Sequence, residues 1–210
     1  MLSINNILLV LIVIASIYAW NNPYVMSKWI FNPYDVSRHK QWYRFITSGF
    51  IHKDYMHLGF NLYALYAFGT GVEQIYGTSI FGVFGYLLLF ILGVIASSIP
   101  TFLKHKNNPA YNSLGASGGI SSVVFACIFL APKMKLNLIL IPFFKLPGFA
   151  FGALYMIYSH FMAKKQIDNI NHDAHLYGAL FGILFTLLYI ENVFFDYFLN
   201  GRYGILNNTY

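Results

Sequence analysis

From Gln74 to Leu103, and again from Asn107 to Pro132, the chain carries no Lys, Arg, Asp or Glu. A bilayer core needs about 20 apolar residues per helix, and several stretches here meet or approach that length. Only 10% of the 210 residues are charged, against roughly 25% in soluble domains, and the mean hydropathy is +0.57. The chain therefore reads as an integral membrane protein that crosses several times. Its net charge of +6 comes from 13 basic residues spread over loops and a tail. They form no patch, so nucleic acid is excluded as a partner and basic membrane flanks are the better reading. Cys127, the single cysteine, lies in an apolar run and can form no intrachain disulfide.

Six spans in one domain, 1–210, follow from the apolar runs. Span 1 covers about Ile4 to Trp20 and is stopped by Asn21, Asn22 and Pro23. It resembles a signal peptide in its short apolar core. No Lys or Arg precedes that core, however, and Tyr18 and Trp20 sit where interface anchors belong, so the span is read as uncleaved. The loop from Pro23 to Tyr55 is too aromatic for a disordered linker and too polar to span, which predicts an interfacial element between helices 1 and 2. Span 2 runs from about Met56 to Tyr76, and span 3 from about Ser79 to Ile99, ended by Pro100. Span 4 covers about Leu114 to Leu130, span 5 about Gly148 to Met162, and span 6 about Ala174 to Glu191. The segment LNLILIPFFKLP before span 5 is broken by two prolines and is expected to be re-entrant or interfacial. The core is about residues 40–192, and 193–210 is a polar tail.

Polar side chains inside spans are costly and mark function by default. His57 and Asn61 open span 2 at i, i+4 and share one helix face. Glu73 lies about 24 Å further along at 1.5 Å per residue, so it reads as a cap or anchor at the far surface. Span 6 opens with NHDAHLYGALFG, where Ala174, Gly178 and Gly182 form the small-xxx-small pattern of closely packed membrane helices. Span 4 has its own set, Gly115 with Gly119 and Gly118 with Ser122 and Ala126. Each feature has a bland reading: an interface histidine, an asparagine bonding a neighbour, packing glycines with an incidental Ser and His. Parity weighs against it. Spans alternate in direction, so the starts of spans 2, 4 and 6 lie on one side, and His57, Asn61, Ser117 and His175 all lie near those starts. A serine needs a base to take its proton, usually histidine, and the tetrahedral intermediate needs donors for its oxyanion. Ser117 reads as a nucleophile.

HLGFN (His57–Asn61), GASG (Gly115–Gly118) and AHLYGALFG (Ala174–Gly182), together with FGTGVE ending at Glu73 and Arg44 ahead of FITSGFIH, make the chain similar to the rhomboid intramembrane serine proteases over roughly residues 40–190. The resemblance implies an all-α, six-helix membrane bundle that cleaves single-span membrane proteins within the bilayer of a cell or inner membrane, without cofactor or metal. By the same resemblance Ser117 is the nucleophile and His175 the base. His57 and Asn61 then serve the oxyanion hole, while Gly115, Gly118, Gly178, Gly182, Arg44 and Glu73 have supporting roles. Two positions depart from the family pattern: Tyr43 separates Trp42 from Arg44, and Ser121 stands where many members carry the aromatic on which the base stacks. Tyr177, Tyr111 or Ser121 itself are the candidates to hold the His175 ring. Asp173, two residues from His175, faces another way and is expected to cap span 6, leaving a dyad.

The family orientation puts nine basic residues outside (Lys28, Arg38, Lys40, Arg44, Lys53, Lys104, Lys106, Lys164, Lys165) and four inside (Lys133, Lys135, Lys145, Arg202). This runs against the positive-inside rule. Three rivals remain on the residues alone: a zinc site from His57, His172 and His175, a transporter or channel, and an inactive rhomboid-like binding protein.

Overall fold

The computed structural model describes residues 3–77, 83–137, 145–165 and 171–189. The start of span 3 at Ser79, the end of span 6 at Glu191, the tail 193–210 and the middle of the segment before span 5 lie outside the described residues. The long helices are α1 (Ile4–Trp20), α5 (Tyr55–Gly77), α6 (Val83–His105), α7 (Ser117–Leu130), α8 (Gly148–Lys165) and α9 (His172–Tyr189). Among the described residues, Phe84–His105 is long and apolar enough to cross a membrane by length and composition, while α1 and α7 are apolar but shorter.

The loop between α1 and α5 is itself helical. It contains α2 (Pro23–Trp29), α3 (Pro33–His39), α4 (Arg44–Thr47) and a 3₁₀ turn, Ser48–Phe50. The cause is a repeated Asn-Pro signal. Asn22 Oδ1 accepts from Val25 N–H and Asn32 Oδ1 from Asp35 N–H, and a proline follows each cap at the first helical position. Lys40, in the left-handed region at φ 58°, ends α3. Arg44 holds the loop together: its buried guanidinium donates to Ser27 O, Ile30 O, Gln41 Oε1 and Asp35 Oδ2, the last at 2.9 Å. A charge this deeply buried is stable because each guanidinium nitrogen finds an acceptor, one of them a carboxylate.

Three boundaries differ from the sequence reading. First, α6 does not stop at Pro100 but continues to His105. An interior proline costs about 3 kcal/mol, and the extra turn is held by tertiary contacts: Thr101 exchanges hydrogen bonds with Asn171, and Lys104 pairs with Asp173. Second, α7 begins at Ser117 rather than Leu114 because Gly115 has φ +120°, outside helical space. Third, the segment before span 5 has extended ends. Strands β1 (Lys135–Asn137) and β2 (Lys145–Pro147) pair antiparallel, Leu136 opposite Leu146.

The α7 helix is the centre of the fold. Its residues from Gly118 to Leu130 are almost all buried, and it packs against α5, α6 and α9. Its approach to α9 is backbone on backbone. A Cβ added at Gly178 would lie 2.2 Å from Gly118 O, and one at Gly182 would lie 2.2 Å from Ser122 O. The Ser122 hydroxyl seals the contact by donating to Gly178 O at 2.9 Å. At the opposite end of α5 from His57, the Glu73 carboxylate accepts from the Ile4 and Asn5 amides and from the Ser3 hydroxyl, satisfying first-turn donors of α1.

Candidate active site

His57 and Asn61 stand in the first two turns of α5, Ser117 is the first residue of α7, and His175 is in the first turn of α9. The start of α5 is set by Asp54, whose carboxylate accepts the His57 amide at 2.8 Å. The start of α9 is set by Asn171, whose Oδ1 accepts from Ala174 N–H at 3.1 Å. The capping role expected of Asp173 therefore belongs to Asn171. Asp173 occupies the second helical position and pairs with Lys104 at 3.4 Å across to α6.

The segment before Ser117 is stitched to the helical loop. Phe31 and Ser113 exchange backbone hydrogen bonds, Gly115 N–H donates to Ser48 O at 2.9 Å, and Ala116 N–H donates to His52 Nε2 at 3.2 Å. The first intrahelical bond of α7 runs from Ile120 N–H to Ala116 O. The amides of Ser117, Gly118 and Gly119 consequently have no acceptor within the helix, as in any first turn. The His57 ring lies over Gly115: a Cβ there would sit 2.8 Å from Nε2, so glycine is required on space as well as on φ. His57 Nδ1 faces Lys53 N–H at 3.5 Å, which favours a hydrogen on Nε2, a ring atom close to Gly115. Asn61 is buried, and one of its amide hydrogens goes to His57 O at 2.8 Å.

The His175 ring is stacked by a residue the sequence reading did not consider. Tyr155 of α8 lies parallel to it, with centroids 6.2 Å apart and planes at 26°. The Tyr155 hydroxyl is 3.2 Å from Ser121 Oγ. Ser121 is one turn below Ser117, so α8 supplies the aromatic and α7 anchors its hydroxyl. Neither Tyr177 nor Tyr111 takes this place: Tyr177 is exposed, and Tyr111 stacks on His105. His172 lies edge-on to His175 at 5.8 Å. Among the described residues, no three His, Cys, Asp or Glu side chains are grouped to hold a metal ion.

His52, Tyr155 and Asn171 were not singled out from the sequence. Asn171 carried a signal, an asparagine directly before a helical run. His52 and Tyr155 carried none, since one lies in a loop five residues from His57 and the other is one aromatic among many.

The class so defined is a mostly helical protein whose central buried helix starts at a serine, with histidines and an asparagine at the starts of the helices beside it. The Rhomboid domain pattern matches residues 39–192, and the chain belongs to the rhomboid family, whose members are integral membrane proteins. It is 34% identical over 149 residues to the rhomboid protease GluP of Bacillus subtilis, covering 67% of this chain and 25% of that protein. It is 31% identical over 142 residues to presenilin-associated rhomboid-like protein A, mitochondrial, of Danio rerio (66% and 35%). To Rhomboid protein 1, mitochondrial, of Saccharomyces cerevisiae it is 30% identical over 145 residues (67% and 40%). The chain thus spans between a quarter and two fifths of the length of these relatives. Protease function is supported at the level of the family.

Proposed function

We propose that this chain is an intramembrane serine endopeptidase that cleaves transmembrane segments of single-span membrane proteins with a Ser117–His175 dyad. The observation that carries the reading is the backbone contact of Gly118 with Gly178. It fixes the start of α7 against the first turns of α9, and each glycine lies within three residues of a dyad member. In the reaction, Ser117 Oγ attacks the scissile carbonyl while His175 accepts its proton, then returns it to the leaving amine. Water attacks the acyl-enzyme by the reverse route. The oxyanion is received by the first-turn amides of α7, by His57 Nε2–H and by the second amide hydrogen of Asn61. Tyr155 positions the base. No cofactor or metal enters these steps.

Six spans, α1, α5, α6, α7, α8 and α9, cross the membrane, with α2 to α4 in the interface. The N-terminus lies inside, and the site opens on the non-cytoplasmic side of a cell or inner membrane. The basic residues of the first loop face outside because they are part of a folded element, Arg44 being neutralised by Asp35. The test is cleavage of a model single-span substrate, with labelling of Ser117 by a fluorophosphonate. The wild type should cleave and label, and Ser117→Ala should do neither. Cleavage by Ser117→Ala sinks the nucleophile assignment, and a wild type that binds the substrate without cutting points to a rhomboid-like binding protein.

A further inference from the structure

A Ser–His contact lies outside the proposed dyad. Ser16 Oγ, on α1, is 3.0 Å from His52 Nδ1, and both residues are fully buried. By distance alone this pair resembles a nucleophile and its base. The other ring nitrogen shows that it is not. His52 Nε2 faces the Ala116 amide at 3.2 Å, and a backbone N–H can only donate. Nε2 is therefore the bare nitrogen, and the proton of the neutral ring sits on Nδ1. Nδ1–H donates to Ser16 Oγ, whose own hydrogen goes to Phe50 O at 3.1 Å. The donors all run one way, from Ala116 through His52 and Ser16 to the Phe50 carbonyl. Ser16 has no route for giving its proton to His52.

We propose that His52 is a positioning residue for the nucleophile: a neutral imidazole, held in the Nδ1–H tautomer by Ser16, that fixes the Ala116 amide and with it the peptide leading into Ser117. Three observations converge on that peptide. Gly115 N–H is held by Ser48 O, the Gly115 backbone is at φ +120°, and the His57 ring lies directly over it. His52 supplies the last restraint before Ser117, and it takes up the Ala116 amide so that the oxyanion is left to the amides that follow. Protonation would place a hydrogen on Nε2 against the Ala116 N–H. Burial first, and the neighbouring His57 second, lower the His52 pKa to about 3, with Asp54 opposing. The ring is neutral throughout the physiological range.

The kinetic consequence rests on the proposed dyad, whereas the tautomer does not, and the experiment has an arm for each. The full chain, labelled with ¹⁵N-histidine and held in detergent micelles, should show a His52 ring with protonated Nδ1 and bare Nε2, assigned by its disappearance in His52→Gln. A protonated Nε2 overturns the assignment whether or not the chain cleaves anything. In the second arm, turnover of a model single-span substrate is measured beside thermal stability. His52→Ala leaves the Ala116 donor unpaired and should lower kcat about tenfold with KM near the wild-type value. His52→Gln, whose Oε1 can accept from Ala116 N–H, should recover most of that loss. Unchanged kcat in His52→Ala, or a kcat in His52→Gln no better than in His52→Ala, would overturn the positioning role. A wild type that cuts nothing would instead end the protease reading, with the tautomer arm still deciding the His52 assignment.

Discussion

Ser117 and His175 act as a unit if the dyad is the engine, so Ser117→Ala, His175→Ala and the double variant should lose turnover to the same extent rather than additively. Steady-state cleavage by the three folded proteins measures this. Tyr155 is subtler. Tyr155→Leu removes the ring under His175, a contact worth about 0.5–1.5 kcal/mol, so kcat should fall by up to roughly tenfold. Tyr155→Phe keeps the ring, loses the hydroxyl with its Ser121 contact, and should stay near wild type; equal losses in the two variants would show that stacking is not what matters. At the start of α9 the roles are divided. Asn171→Ala should cost about 1 kcal/mol of stability through the lost cap. Asp173→Asn removes only a partly exposed pair with Lys104, worth 0 to about 1 kcal/mol, and should leave turnover intact. A collapse of activity in Asp173→Asn would instead make Asp173 the third member of a Ser117–His175–Asp173 triad. His52 also titrates with a sign that can be worked out. Its pKa is near 3 in the fold against 6.5 unfolded, so between those values the unfolded chain binds more protons. Stability should therefore decline as pH falls below about 6.5, and thermal melts of His52→Gln should show a shallower decline.

The α7–α9 pair depends on what is missing from its surface. Gly178 and Gly182 allow carbonyls of α7 to approach to where a Cβ would stand. Gly178→Leu should push α9 outward, lowering both melting temperature and turnover without touching a reacting group. Full activity in that variant would mean the contact is dispensable. Element limits in this chain were set by contacts that propensity does not report. Pro100 is passed because Thr101 and Lys104 bind the start of α9. The α7 helix starts late because Gly115 turns away, and that late start makes Ser117 a first-turn residue. The loop after α1 is helical, with α2 and α3 starting on Asn-Pro signals that were plain in the sequence but outweighed in the reading by its aromatic content.

Two ends of the bundle do different work. At one, the helix starts of α5, α7 and α9 carry the residues proposed to react. At the other, Glu73 binds the N-terminus of α1 some 24 Å along α5 from His57. Glu73→Gln should reduce thermal stability by about 1–2 kcal/mol, by weakening a charge-assisted cap, while leaving KM and kcat unchanged. A kinetic defect without loss of stability would tie that end to the chemistry. The helical character of the chain, the motifs around Ser117 and His175 and the faces carrying small residues were all legible in the sequence, because charge-free runs and i, i+4 spacing are local properties. The cap of α9 was legible too, as an asparagine before a helical run, but was read at Asp173 instead of Asn171. The partners of His52 and the aromatic that stacks on His175 were not, since each joins residues far apart in the chain through the orientation of a ring, and only the packed helices set that orientation.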